Sequence, residues 1–172
     1  ATLTNLPDLP EPAKKPSLDK PYSILVTGVG GTGVVTIGAL VGMAAHLDGK
    51  GSGIIDMAGL SQKGGSVYSH IKLAASPDDV KTIRVADGNA DLMLGCDVVG
   101  GAGNQALSTL SKSTHALINT HEQMPREFAY DKDVALPTDL MHERIAESVG
   151  ASNIDFVDAT KYATLLLGDS IG

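Results

Sequence analysis

Apolar residues along this chain fall into two alternating periods, and the alternation lays out the elements. Ser23 to Thr27 is a short run rich in Ile, Leu and Val, the pattern of a buried strand. From Val34 to Leu47, positions Val34, Ile37, Val41, Ala44 and Ala45 fall near helical spacing. The other faces of that helix are apolar too, which predicts burial on most sides, beside a sheet or a neighbouring subunit. Gly49 and Gly51 supply its exit. Ile54 to Met57 reads as a second strand. After the polar, glycine-rich AGLSQKGG comes a third, Ser66 to Leu73. There Val67, Ile71 and Leu73, with Ser69, alternate against Tyr68, His70 and Lys72, so one face is expected to meet water or a partner.

Ser76 to Asp79 predicts a turn, Lys81 to Val85 a short strand and Asp91 to Gly95 a buried strand. The span Asp97 to Ser111 carries a helix after the loose GGAGN, with Asn104 as its cap and Leu107 and Leu110 on its inner face. His115 to Asn119 is another strand, and Thr120 to Leu136 reads as loop. A helix opens at Pro137 or Thr138, with Asp139 in its first turn. Leu140, Met141, Ile145 and Val149 stripe it, and Gly150 ends it. Ile154 to Val157 is the last strand, and Asp158 is placed to cap a helix through Leu167. Strands and helices alternate except at one strand–loop–strand step. This predicts a three-layer α/β/α sandwich with a mixed, mostly parallel sheet. Ligands of such sheets gather beyond the carboxyl ends of the strands, where the loops at 28–33, 57–65 and 95–104 would form one rim.

Candidate chemistry concentrates in SILVTGVGGTG, Ser23 to Gly33. A strand, a turn of glycines (Gly28, Gly30, Gly31 and Gly33, with Thr32) and a helix start are the parts of a phosphate cradle. Glycine permits positive φ and close approach of a ligand to the main chain. Two readings stand: a loop that faces a ligand or a partner, and a tight junction whose glycines serve packing alone. Asp56 falls where a dinucleotide fold would place its ribose-binding acid. The third strand stands where that fold needs a helix, so acceptance of loop N–H groups is the reading favoured for Asp56.

The 172 residues suit one domain, 22–172, behind a proline-rich linker, 1–21, that holds five of the eight prolines. Such a linker at the start suggests a piece of a longer polypeptide. A net charge of −7, with no basic run, argues against nucleic acid and anionic membranes as partners. No apolar run is long enough to span a bilayer, and no signal-peptide pattern opens the chain, so a cytoplasmic setting is expected. The single cysteine, Cys96, cannot build an iron–sulfur cluster from this chain alone. It reads as a small buried residue at a strand end rather than a nucleophile. The five histidines lack metal-ligand spacing, so no metal site is expected, and His70 is expected on the outward face of its strand, against solvent or a partner.

Taken together, VTGVGGTGVVTIGALVGMAAHLDGKG, DMAGLSQKGGSVYSHIKL, ADLMLGCDVV and DATKYATLLLGDSI resemble the gamma domain of 2-oxoacid:ferredoxin oxidoreductases, most nearly the fused indolepyruvate type, over residues 22 to 172. The resemblance implies an enzyme that decarboxylates a 2-oxoacid on thiamine diphosphate with Mg²⁺. It passes electrons through iron–sulfur clusters to ferredoxin and the acyl group to coenzyme A. The gamma domain is implied to pack against the thiamine-binding domains and to help shape the coenzyme A side of the site. No thiamine diphosphate motif or cluster cysteine set occurs here, so those cofactors are expected on other domains or subunits, with no catalytic residue in this one. The candidates for coenzyme A are Gly28, Gly30, Gly31, Thr32 and Gly33, together with Gln62, Lys63, Gly64 and Gly65. Backbone N–H groups would meet phosphate, Lys63 would act as a point charge and Gln62 as a polar hand. A tight packing turn at Gln62 to Gly65 is the alternative. For the whole chain the alternatives are a stand-alone NAD- or FAD-binding domain and a purely structural interaction module.

Overall fold

The computed structural model describes residues 17–58, 65–121 and 137–168. Six strands form one sheet, β1 (Tyr22–Val29), β2 (Gly51–Ala58), β3 (Ser66–Ala74), β4 (Leu92–Gly95), β5 (His115–Asn119) and β6 (Ile154–Val157). Their order is β2-β3-β1-β4-β5-β6. The pairs β1/β4, β4/β5 and β5/β6 are parallel, whereas β3 runs antiparallel to both β1 and β2. Five helices accompany them among the described residues: α1 (Val34–Leu47), α2 (Val98–Gly101), α3 (Asn104–Ser108), α4 (Thr138–Val149) and α5 (Ala159–Leu167). The mixed, mostly parallel sheet and the strand–loop–strand step between β2 and β3 are as expected. The proline-rich segment up to residue 16 and the expected loop between residues 122 and 136 lie outside the described residues.

Helices pack on both faces of the sheet. On one face, Ile24, Val26, Val34 and Ile71 form a core that Ile37, Val41 and Ile54 extend. α1 reaches β2 and β3 closely because Gly38 and Gly42 lack side chains there. A Cβ on Gly38 would lie 2.5 Å from Ser69 Oγ, and one on Gly42 2.4 Å from Ile54 Cδ1. On the other face, Leu25, Met93, Val98, Ala106, Ile118, Ile145 and Val149 join β1, β4 and β5 to α2, α3 and α4. Burial of such a set is the dominant favourable term in folding, at roughly 25 cal/mol per Å² of apolar surface.

Several sequence expectations are corrected. Lys81 to Val85 is not a strand. It is an irregular segment laid over the second face of β2 and β3, where Ile83 and Val80 press on Gly53 and Val85 is buried. The supposedly outward face of β3 is closed, at His70 by that segment and at Tyr68 by the turn between α2 and α3, so both are buried. The helix expected within Asp97 to Ser111 is two short ones. Asp97 caps the first, and Asn104 is the first residue of the second rather than its cap. Leu140 points outward on α4 while Ile145 and Val149 are buried. Gly51 belongs to β2, leaving Gly49, at φ +67°, as the exit from α1. Among the described residues α1 buries Val34, Gly38, Gly42 and Ala45 against the sheet and leaves its other faces exposed. Gly150 ends α4 and Asp158 caps α5 as predicted, the latter accepting from the Lys161 amide at 2.9 Å.

Candidate functional site

The loops after β1 and β4 meet at the carboxyl edge of the sheet, and Gly65, ahead of β3, joins them there. The turn after β1 closes on itself: the Thr32 amide and hydroxyl both donate to the Val29 carbonyl, at 3.1 and 2.8 Å. Gly31 (φ +103°) and Gly33 (φ +86°) hold left-handed backbone, and a Cβ added to either would have no neighbour within 4 Å. That conformation admits glycine readily and other L-residues at a cost. Gly33 leads directly into α1, whose first turn leaves N–H groups without helical partners. The Gly30 amide donates to the Gly65 carbonyl at 3.0 Å, which brings the corner after β1 and the corner before β3 together.

The loop after β4 is tied in by Asp97, fully buried beyond that strand. Its Oδ2 accepts from the Val29 amide at 2.6 Å and its Oδ1 from the Gly100 amide at 2.7 Å. Burial pushes its pKa above the usual 3.8, while the amides of Gly100, Val29 and Val99 pull the other way. Gly28 is buried beneath this bridge. A Cβ there would meet Thr32 Oγ1 at 2.4 Å and Cys96 Cβ at 2.9 Å, and one on Gly100 would lie 2.6 Å from Gly28 Cα. The glycines therefore divide their work. Gly28 and Gly100 let α2 seat against β1, whereas Gly30, Gly31 and Gly33 are exposed. Of the second corner, Gly65 is half-buried at the junction, and Gln62, Lys63 and Gly64 lie outside the described residues.

Sequence reasoning missed Asp97. Its signal was an acid followed by two valines and two glycines, a cap ahead of a tightly packed turn. Asp56 is exposed on β2, and its carboxylate accepts no hydrogen bond among the described residues. Cys96 is half-buried beside Asp97, and burial first and that carboxylate second raise its thiol to about 11. The His70 Nδ1 accepts from the Val85 amide at 3.2 Å, and its Nε2 has no partner among the described residues. Burial, and then the Arg84 charge, lower its pKa below 6.5. The amides of Val29, Gly30 and Thr32 are already donating, so the turn offers those of Gly31 and Gly33 and the first turn of α1, with no nucleophile–base pair among the described residues.

The family pyruvate ferredoxin/flavodoxin oxidoreductase matches residues 23–168, and the chain belongs to it. It is similar to the indolepyruvate oxidoreductase subunit IorB of Pyrococcus horikoshii, 38% identical over 80 residues that make up 46% of this chain and 38% of that subunit. It is also similar to IorB of Thermococcus kodakarensis, 29% identical over 84% of this chain and 68% of the relative. The match to the Pyrococcus subunit thus spans well under two thirds of that protein. Among solved structures, the pyruvate oxidoreductase subunit PORC of Thermotoga maritima superposes with a TM-score of 0.61 at 18% identity, over 88% of this chain and 70% of that one. The gamma subunit of a keto/oxoacid ferredoxin oxidoreductase from Geobacter sulfurreducens gives 0.53 at 18%, over 87% and 69%. These two likenesses are of fold. No helix among the described residues is long and apolar enough to cross a membrane.

Proposed function

We propose that this chain is the gamma component of an indolepyruvate-type 2-oxoacid:ferredoxin oxidoreductase. In that reading it forms the coenzyme A side of a site completed by other subunits and is inactive alone. The thiamine diphosphate, Mg²⁺ and iron–sulfur clusters belong to those subunits, which pass the electrons on to ferredoxin. The observation that carries the reading is the Gly30 to Gly65 hydrogen bond. It seats the turn after β1 against Gly65 at the start of β3 and leaves the neighbouring Gly31 and Gly33 amides to meet a phosphate. The role in an assembly is supported by α1. Its outer row, Leu40, Met43 and Leu47, is 58 to 78% exposed, an apolar stripe left uncovered among the described residues.

The test uses the assembled enzyme with indolepyruvate as substrate and ferredoxin as acceptor. Gly31→Ala with Gly33→Ala should raise the KM for coenzyme A several-fold while the KM for the oxoacid stays put, and Leu40→Asp with Met43→Asp should prevent co-purification of the partner subunits. An unchanged KM for coenzyme A in the folded glycine variant would refute the coenzyme A assignment. Calorimetry showing tight NAD or FAD binding with no response to coenzyme A would instead favour the dinucleotide reading. The antiparallel β2–β3 pair, standing where that fold needs a helix, speaks against it.

A further inference from the structure

The sheet edge opposite the glycine corners holds a cavity of about 490 Å³. Its walls come from the start of β1, the end of β3, the irregular segment after β3 and the approach to β4. Four cations line it, Lys20, Lys72, Lys81 and Arg84, against two carboxylates, Asp79 and Asp91. In a chain of net charge −7 this is a local reversal of sign. Both carboxylates are already engaged: Asp91 accepts from the Ser23 amide at 2.7 Å and Asp79 from the Ser76 hydroxyl at 2.8 Å. The cations are less so. Lys72 gives one ammonium donor to the Ser23 hydroxyl and Lys81 gives one to the Asp78 carbonyl. Lys20 and Arg84 have no hydrogen bond or ion pair among the described residues.

Four positive groups around one concavity repel one another, and an anion between them removes that cost. The geometry points to a binding site for a phosphate-bearing small molecule, with the Arg84 guanidinium as a two-pronged donor and the three lysines as point charges. The volume lies within the range of roughly 300–1,000 Å³ usual for small-ligand pockets, and a concave site suits a compact anion better than the face of an acidic protein. The eight-residue β1 separates this cavity from Gly30 by about 25 Å, so it is distinct from the proposed coenzyme A wall.

The experiment titrates the 172-residue chain with inorganic pyrophosphate at low ionic strength by calorimetry, and repeats the titration with ADP and with a ten-residue polyglutamate peptide. Saturable one-to-one binding of pyrophosphate is expected, weakened at least tenfold by Arg84→Gln and by Lys72→Met, and unaltered by Gly31→Ala. Stronger binding of ADP would extend the site to nucleotides. Arg84 is exposed, so its variant should melt with the parent chain and separate lost binding from lost fold. Absence of saturable binding would overturn the site, as would indifference to Arg84→Gln. Loss of binding in Gly31→Ala would move the anion to the glycine corners. Tighter binding of the polyglutamate peptide than of pyrophosphate would replace the small molecule with an acidic protein partner.

Discussion

The Val29 amide donates to Asp97 Oδ2 at 2.6 Å across the gap between the end of β1 and the turn beyond β4. The carboxylate's other oxygen caps α2 through the Gly100 amide. One buried side chain thereby fixes the glycine turn to the helix that supports it.

Asp97→Asn should be costly. An amide has one oxygen where the carboxylate has two, so one backbone N–H would face the new NH₂ group. Leaving a buried donor unsatisfied costs about 1–3 kcal/mol, which for a chain of this size lowers Tm by roughly 2–10 °C. The pH dependence follows from the raised native pKa. The unfolded chain loses this proton near 3.8 and the native chain at higher pH, so Asp97 makes stability fall as pH rises through that window. Denaturant midpoints measured across the window should show this component in the parent chain and not in the variant.

Gly100→Ala and Gly31→Ala should fail in different ways. The first puts a Cβ 2.6 Å from the Gly28 main chain, which forces α2 away from β1. Overpacking of this kind costs about 1–3 kcal/mol. The second has open space and only its φ of +103° to overcome, at about 1–2 kcal/mol. Near-ultraviolet circular dichroism should change for Gly100→Ala and stay native for Gly31→Ala.

His70 predicts acid sensitivity. Its native pKa lies below 6.5, so the unfolded chain takes up the proton first as pH falls. Its contribution to stability is whole above 6.5 and is lost as pH drops below it. His70→Asn keeps an acceptor for the Val85 amide and should abolish this dependence with moderate loss at pH 8. His70→Leu should also abolish it but lose about 1–3 kcal/mol more, because the Val85 amide is then unpaired. Urea titrations at pH 5.5 and 8 distinguish the three.

Cys96 should be nearly inert. A thiol raised from 9.0 to about 11 has a thiolate fraction about 100-fold lower at pH 7.5. Iodoacetamide should therefore label the native chain on the order of 100 times more slowly than the urea-unfolded chain, as followed by mass spectrometry.

Local signals were legible where the responsible residues lie close in sequence. Asp158 as a cap, Gly150 as a stop and the strand at Ser23 to Thr27 depend on neighbours within a few positions. The same holds for the strand-for-helix exchange at Ser66, since period two is written in the side chains themselves. His70 shows the limit. Alternation placed it on the face opposite Ile71, correctly, but nothing local announces that residues 80–90 fold back over that face. Lys81 to Val85 failed for the same reason: its apolar residues are there to cover β2 and β3, not to pair in the sheet.

By itself the chain's residue pattern determined the alternation of strands and helices, the glycine turn after β1 and the family resemblance, because each rests on short-range spacing. Only the tertiary structure decided that Gly28 packs while Gly31 stands open, that Asp97 bridges β1 to α2, and that four cations share one cavity. Those facts depend on contacts between residues up to 72 positions apart. Burial and electrostatic neighbourhood are properties of the assembled surface, and no local pattern encodes them.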